Sequence, residues 1–276
     1  MFYILSGIFT RIVSNSYLNV FQKILTNKGN KPSIVNFYTY LGLSILSLVL
    51  IPYLQMSVSF VLILNFSAMG ILGALGNYFI IKALSHGELS SLAPINSYKP
   101  VVALIVAFFY LKEIPSLSAL FGIILIILGT YILYKKGEYN TKSVLYRVFA
   151  LIFSGTEAVF IKKIILITNI QTTFALWALS GLIFSLIFAI MSKHKFEFPC
   201  LKYQGLLIIS VAIMQYSTNF VFSKMNVSYA LALFQLSTLL SVFLGVNIFD
   251  EGGLKRKLIA SFIMFAGAVV IILGVG

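Results

Sequence analysis

Charge is scarce in this chain: Asp, Glu, Lys and Arg make up 10% of 276 residues, against about 25% in soluble domains. With 60% hydrophobic residues and a mean hydropathy of +1.01, that scarcity excludes a water-soluble globular domain. One cysteine, Cys200, permits no intramolecular disulfide. Two histidines, His86 and His194, sit in separate short connections, which speaks against a metal centre. The seven acids are scattered, so the clustered acids or nucleophiles of an intramembrane enzyme are missing and no catalytic residue is expected. No Gly-x-x-x-x-Gly-Lys-Ser/Thr loop occurs, and no cofactor is expected; ATP does not drive the protein directly. The net charge of +13 comes from Lys and Arg spread along the edges of apolar runs. That pattern points to the lipid bilayer as the partner surface, and not to nucleic acid.

What the chain has in abundance is apolar runs. Ten of them, at about 2–22, 34–54, 61–83, 89–111, 115–134, 144–166, 172–191, 203–224, 228–249 and 257–275, are each close to the ~20 residues that cross a bilayer. The fold class predicted is all-α, with ten transmembrane helices in a multi-pass protein of the cell membrane. The first run carries Arg11, Asn15, Asn19 and Gln22 and lacks a small-residue cleavage site, so it reads as a helix and not as a removable signal. Basic residues gather in connections after odd-numbered runs, as at Lys28, Lys31, Lys193, Lys195 and Lys202, with Arg147 counted among them. By the positive-inside rule those connections face the cytoplasm and the termini lie outside. Trp177, Tyr53, Tyr134 and Tyr203 read as interfacial belt residues.

The second half repeats the first. Asn77-Tyr-Phe-Ile-Ile-Lys82 recurs as Asn219-Phe-Val-Phe-Ser-Lys224, and Leu111-Lys-Glu113 recurs as Phe249-Asp-Glu251. Gly122 and Gly129 behind the first acidic signature match Ala260 and Gly267 behind the second, and Lys23 falls on Lys162. The units are 1–138 and 139–276. Five helices per unit is odd, so the second copy enters the membrane upside down, a 5+5 inverted repeat with its substrate site near the midplane.

On these residues the chain resembles the drug/metabolite transporter superfamily and, within it, the EamA type, over nearly its full length. Lys-Ala-Leu at 82–84, Pro-Val-x-Ala-Leu at 100–104, Leu-Lys-Glu at 111–113 and the Gly122/Gly129 spacing carry the resemblance. It implies a central cavity between the halves, efflux or exchange of small metabolites, often amino acids, and termini in the cytoplasm, against the charge count. Thr238 stands where the pattern expects a second proline.

Ionisable groups in hydrocarbon cost about 2.5–3.5 kcal/mol, so they face partners or water. At 1.5 Å per residue Lys99 lies roughly 16 Å into the fourth run and Glu157 roughly 20 Å into the sixth, near the middle of a ~30 Å core. They are predicted to pair between the halves, where substrate or protons compete for the pair. Pro94 and Pro100 lack N–H groups and make the fourth run irregular. There Asn96, Lys99, Pro100 and Ala103 share a face. Arg11, Asn15 and Gln22 share a face of the first helix with Asn19 at its edge. Asn77 in the third helix, Gln215, Tyr216 and Asn219 in the eighth, and Gln235 and Thr238 in the ninth complete the candidate substrate-binding or coupling residues. The fifth and tenth runs are nearly free of polar groups and should be peripheral. Trp177 and Tyr38 are alternatives for stacking on a ring-shaped substrate. Gly70, Gly73 and Gly76 suit close helix packing.

The expected function is secondary transport, by export or exchange, of a small metabolite such as an amino acid. It would be coupled to protons or another ion gradient and carried by a monomer or weak dimer. A lipid-linked carrier translocase, or an assembly subunit that transports nothing, is the alternative, for which polar cavity lining is unnecessary.

Overall fold

Apolar surroundings leave backbone N–H and C=O groups no partner but each other, and the chain answers with helices. The computed structural model describes residues 2–55, 58–133, 140–249 and 254–273, and no strand occurs among them. The first repeat holds α1 (Phe2–Asn27), α2 (Pro32–Ser47) running on as a 3₁₀ segment (Leu48–Tyr53), and α3 (Phe60–Leu84). It continues with α4 (Leu89–Leu92), a 3₁₀ segment (Ala93–Tyr98), α5 (Lys99–Tyr110) and α6 (Leu117–Leu133). The second holds α7 (Thr141–Ile167), α8 (Ile170–Met191), α9 (Leu201–Phe222), α10 (Val227–Phe234), α11 (Ser237–Phe249) and α12 (Leu254–Leu273). The belt residue Tyr134 and the second acidic signature, Asp250 and Glu251, lie outside the described residues.

Among the described residues, five stretches are long and apolar enough to cross a membrane: Pro32–Tyr53, Phe60–Leu84, Ile170–Met191, Leu201–Phe222 and Val227–Phe249. Helices α1 and α7 are as long, at 26 and 27 residues, but carry the charges of the interior. Ile95–Tyr110, Leu117–Gly129 and Leu258–Gly267 are apolar and shorter. The outer surface is apolar, with Phe60, Leu117 and Phe262 all more than 70% exposed, while Gln22, Asn36, Asn65 and Asn219 are fully buried. This inside-out polarity is that of a protein solvated by lipid.

Packing exchanges the repeats. Helix α1 lies on α9 and α3 on α7, whereas α2 packs on its counterpart α8 and α6 on its counterpart α12. The counterparts run antiparallel. A methyl added at Gly129 would sit 2.8 Å from the Ala260 carbonyl oxygen, and one at Gly267 2.6 Å from that of Gly122, so rising numbers in α6 meet falling numbers in α12. In α2 and α8 the same holds: Tyr40 lies against Gly181, and Ser44 Oγ donates to the Ala178 carbonyl at 3.1 Å. Helices α6 and α12 form a pair that meets the rest of the bundle at the first 3₁₀ break, α10 and α11 and turns its other face outward, as its scarcity of polar groups predicts.

The matched lysines do matched work. Lys23 Nζ donates to the carbonyls of Leu84 (2.9 Å) and Gly87 (2.6 Å), closing the C-terminus of α3. Lys162 Nζ donates to the carbonyls of Phe222 and Met225 at the C-terminus of α9. Each ammonium replaces missing helical partners and sits at the negative end of a helix dipole. Lys162 is buried inside α7 at 8% exposure. The acidic signature also acts across the repeats: Lys112, at φ 60, turns the chain out of α5, and Glu113 Oε2 accepts the Val227 N–H at 3.1 Å, capping α10. Lys23→Met and Lys162→Met are each expected to lower stability by about 1.5–3 kcal/mol. Melting of the detergent-purified protein reads this out, and an unchanged midpoint for both would remove the clamps from the stability of the fold.

The fourth and ninth runs both break. In the first repeat the break is the 3₁₀ segment Ala93–Tyr98, which contains Pro94, as proline predicts. In the second it occurs without a proline. The N–H groups of Gln235, Leu236 and Thr238 bond to the carbonyls three residues back, and the Gln235 side chain takes over the Leu231 carbonyl at 2.8 Å. Thr238 in place of proline therefore does not spare the second repeat its break.

Candidate functional site

A cavity opens where α1, α3, the first break, α7, α8 and α9 converge. It offers about 90 Å³ to water-sized occupants, whereas one water needs about 10–15 Å³. Its walls come from both repeats. Of the sequence-predicted residues, Asn15, Asn19, Asn77, Asn96, Lys99, Glu157 and Gln215 line it. Lys99 is the first residue of α5, so the break aims its side chain inward.

Others stand behind the wall. Gln22 Nε2 donates to Asn77 Oδ1 at 3.0 Å, and Asn77 Nδ2 donates in turn to Asn36 Oδ1. Asn219 Oδ1 accepts from Gln215 Nε2 at 2.9 Å. Gln235 Oε1 accepts from Asn96 Nδ2 at 3.3 Å, joining the two breaks side chain to side chain. Pro100 and Thr238 are buried outside the cavity lining. Tyr216 is 39% exposed and edges onto Phe174, pointing away from the cavity. One residue along a helix turns about 100°, which carries Tyr216 off the face of Gln215.

The expected Lys99–Glu157 ion pair is not a contact pair. Both line the same space and interact electrostatically, but Glu157 Oε1 accepts the Trp177 indole N–H at 2.6 Å. Trp177 is 5% exposed, so it is no belt residue. Its ring packs at 5.1 Å from Tyr40, which lies on Gly181. Across from them Gly73 leaves room for the Glu157 carboxylate, where a Cβ would collide with Oε1. The middle member of the Gly70, Gly73, Gly76 series thus makes space for a functional group as well as for packing.

Two arginines complete the lining. Arg11, which shares the polar face of α1 and is absent from the sequence-predicted site, lines the cavity with its guanidinium carbon 4.6 Å above the Phe234 ring centroid. Arg147, counted as a connection residue, is 5% exposed within α7 and lines the cavity. It lies three residues inside the apolar run at 144–166, so the insertion cost applied to Lys99 applied to it equally. Nε and Nη1 of both arginines are buried and lack hydrogen-bond partners.

Nothing among curated proteins matches the chain. Among solved structures, one titled "Crystal structure of protein" superposes with a TM-score of 0.72 at 15% identity, covering 98% of this chain and 97% of the other. That similarity is one of fold. The EamA-like transporter family matches the sequence twice, over residues 3–135 and 141–273. With a polar cavity walled by both matched segments inside an apolar exterior, the chain is a multi-pass integral membrane protein and belongs to the EamA-like transporter family.

Proposed function

We propose that the protein is a secondary transporter whose ten helical stretches span the cell membrane as two inverted repeats, 1–138 and 139–276. It exports or exchanges small polar metabolites, amino acids and related carboxylate-bearing compounds among them, by alternating access. The observation that carries this reading is a polar, charge-bearing cavity walled by both repeats, with counterpart helices packed antiparallel beside it. Asn15, Asn19, Asn77, Asn96 and Gln215 offer amide donors and acceptors to a polar solute, and Lys99 receives a carboxylate. Glu157 is the coupling group, exchanging a proton or another ion as the substrate comes and goes. A polar-lined cavity serves no purpose in an assembly subunit, since desolvated polar groups without a ligand destabilise a protein.

Alternating access requires the halves to rock. Ser33 Oγ at the start of α2 lies 3.0 Å from Ser192 Oγ at the end of α8, away from the cavity lining. In a Cys200→Ser background, Ser33→Cys with Ser192→Cys should form a disulfide that locks this end. In reconstituted vesicles the oxidised protein is expected to lose at least about tenfold of its metabolite exchange, the equivalent of 1.4 kcal/mol, and to regain it on reduction. Full exchange by fully cross-linked protein would exclude rocking about the midplane.

A further inference from the structure

The transport reading fixes where a solute sits, and the cavity's charge says which solute. Arg11, Lys99 and Arg147 line it, and Glu157 alone opposes them, leaving two positive charges in excess. No other charged side chain among the described residues lines the space. Glu157 interacts with Lys99. Arg11 and Arg147 have no carboxylate in contact among the described residues, and each keeps two buried nitrogens without an acceptor there. Burying a guanidinium with unmet donors is costly, and the planar fork of arginine pairs best with the two oxygens of a carboxylate or phosphate.

We propose that Arg11 and Arg147 form an anion-binding pair and that the preferred cargo is a compact organic dianion, a dicarboxylate or a phosphate monoester. A neutral amino acid brings one carboxylate and one ammonium, which leaves the excess of positive charge untouched. An acidic amino acid cancels half of it, and a dianion all of it. Phe234, buried behind the lining and stacked on Arg11, holds that guanidinium by its ring face and leaves the N–H edge for a ligand. The assignment rests on the transport reading and narrows it.

The test compares succinate, glutamate, leucine, inorganic phosphate and chloride at equal ionic strength. Binding is read as thermal stabilisation of the purified protein, and exchange is followed in reconstituted vesicles. Succinate or phosphate should bind at least about tenfold more tightly than leucine, with glutamate between. Arg11→Met and Arg147→Met should each weaken succinate binding by about tenfold to a hundredfold without lowering the ligand-free melting temperature, because each removes a buried, unmet cation. Arg11→Lys and Arg147→Lys, which keep the charge and lose the fork, should fall between. Equal binding of leucine and succinate overturns the assignment, as do unchanged succinate binding by both Met variants and equal stabilisation by chloride. Exchange of leucine but not of any anion leaves the transport reading standing and ends this one. If nothing in the panel moves, both fall.

Discussion

Gly181→Ala is expected to unseat the wall of the cavity and to abolish transport. A Cβ at 181 would collide with Tyr40 Cε1, and that ring, 1% exposed, could yield only into the cavity it lines. Overpacking of this kind costs about 1–3 kcal/mol, and here the clash is with a rigid ring and not with the tip of a flexible chain. The displacement is passed on, because Tyr40 packs on Trp177 and Trp177 holds Glu157. Gly205→Ala supplies the control: nothing lies within 4 Å of its added methyl, and it sits in α9. It should be neutral or stabilise by up to about 1 kcal/mol from helix propensity. Melting midpoints and exchange rates of the two variants decide the matter. Equal behaviour would mean that the Tyr40–Gly181 contact does not hold the site.

Glu157→Gln separates the charge of that side chain from its shape. The amide oxygen can still accept from Trp177 Nε1, so the wall should stand, but Lys99 loses the one carboxylate that acts on it among the described residues. Exchange should fall by about tenfold to a hundredfold, the range set by a charged hydrogen bond, and whatever pH dependence it has should flatten. Glu157→Ala, which also strands the indole N–H, should in addition melt lower. Trp177→Phe keeps a ring there and removes the donor, so it reports on orientation alone. Retention of both rate and pH profile in Glu157→Gln would remove Glu157 from coupling.

Much of this arrangement was legible before any coordinates. Counting residues along apolar runs singles out Lys99 and Glu157, which line one cavity, and the repeat offset matches Lys23 to Lys162, which make the same clamp. Polar stripes on α1 and α9 led to Asn15, Asn19 and Gln215 at the cavity. The sequence misled where a residue's type was used without its depth. The preference of tryptophan for interfaces points Trp177 to the membrane surface, yet its N–H has a carboxylate partner inside. Counting charges near run ends groups Arg147 with the connections although the apolar run already begins at 144; the helix starts earlier still, at Thr141, with the Asn140 side chain accepting the Lys142 N–H at 2.9 Å. The break in the ninth run had no proline to announce it. It depends on one glutamine side chain finding a backbone carbonyl, which no periodicity reveals.

That difference makes the two broken segments unequal as mechanical parts. Proline forbids the fourth segment from ever closing into an uninterrupted α-helix, so its bend is permanent. The ninth is held open by an amide that can let go of the Leu231 carbonyl and allow the ordinary backbone bond to form in its place. One half of the molecule thus carries a fixed elbow and the other a reversible latch, and because Asn96 grips that same glutamine, straightening of the latch would be felt at once by the elbow.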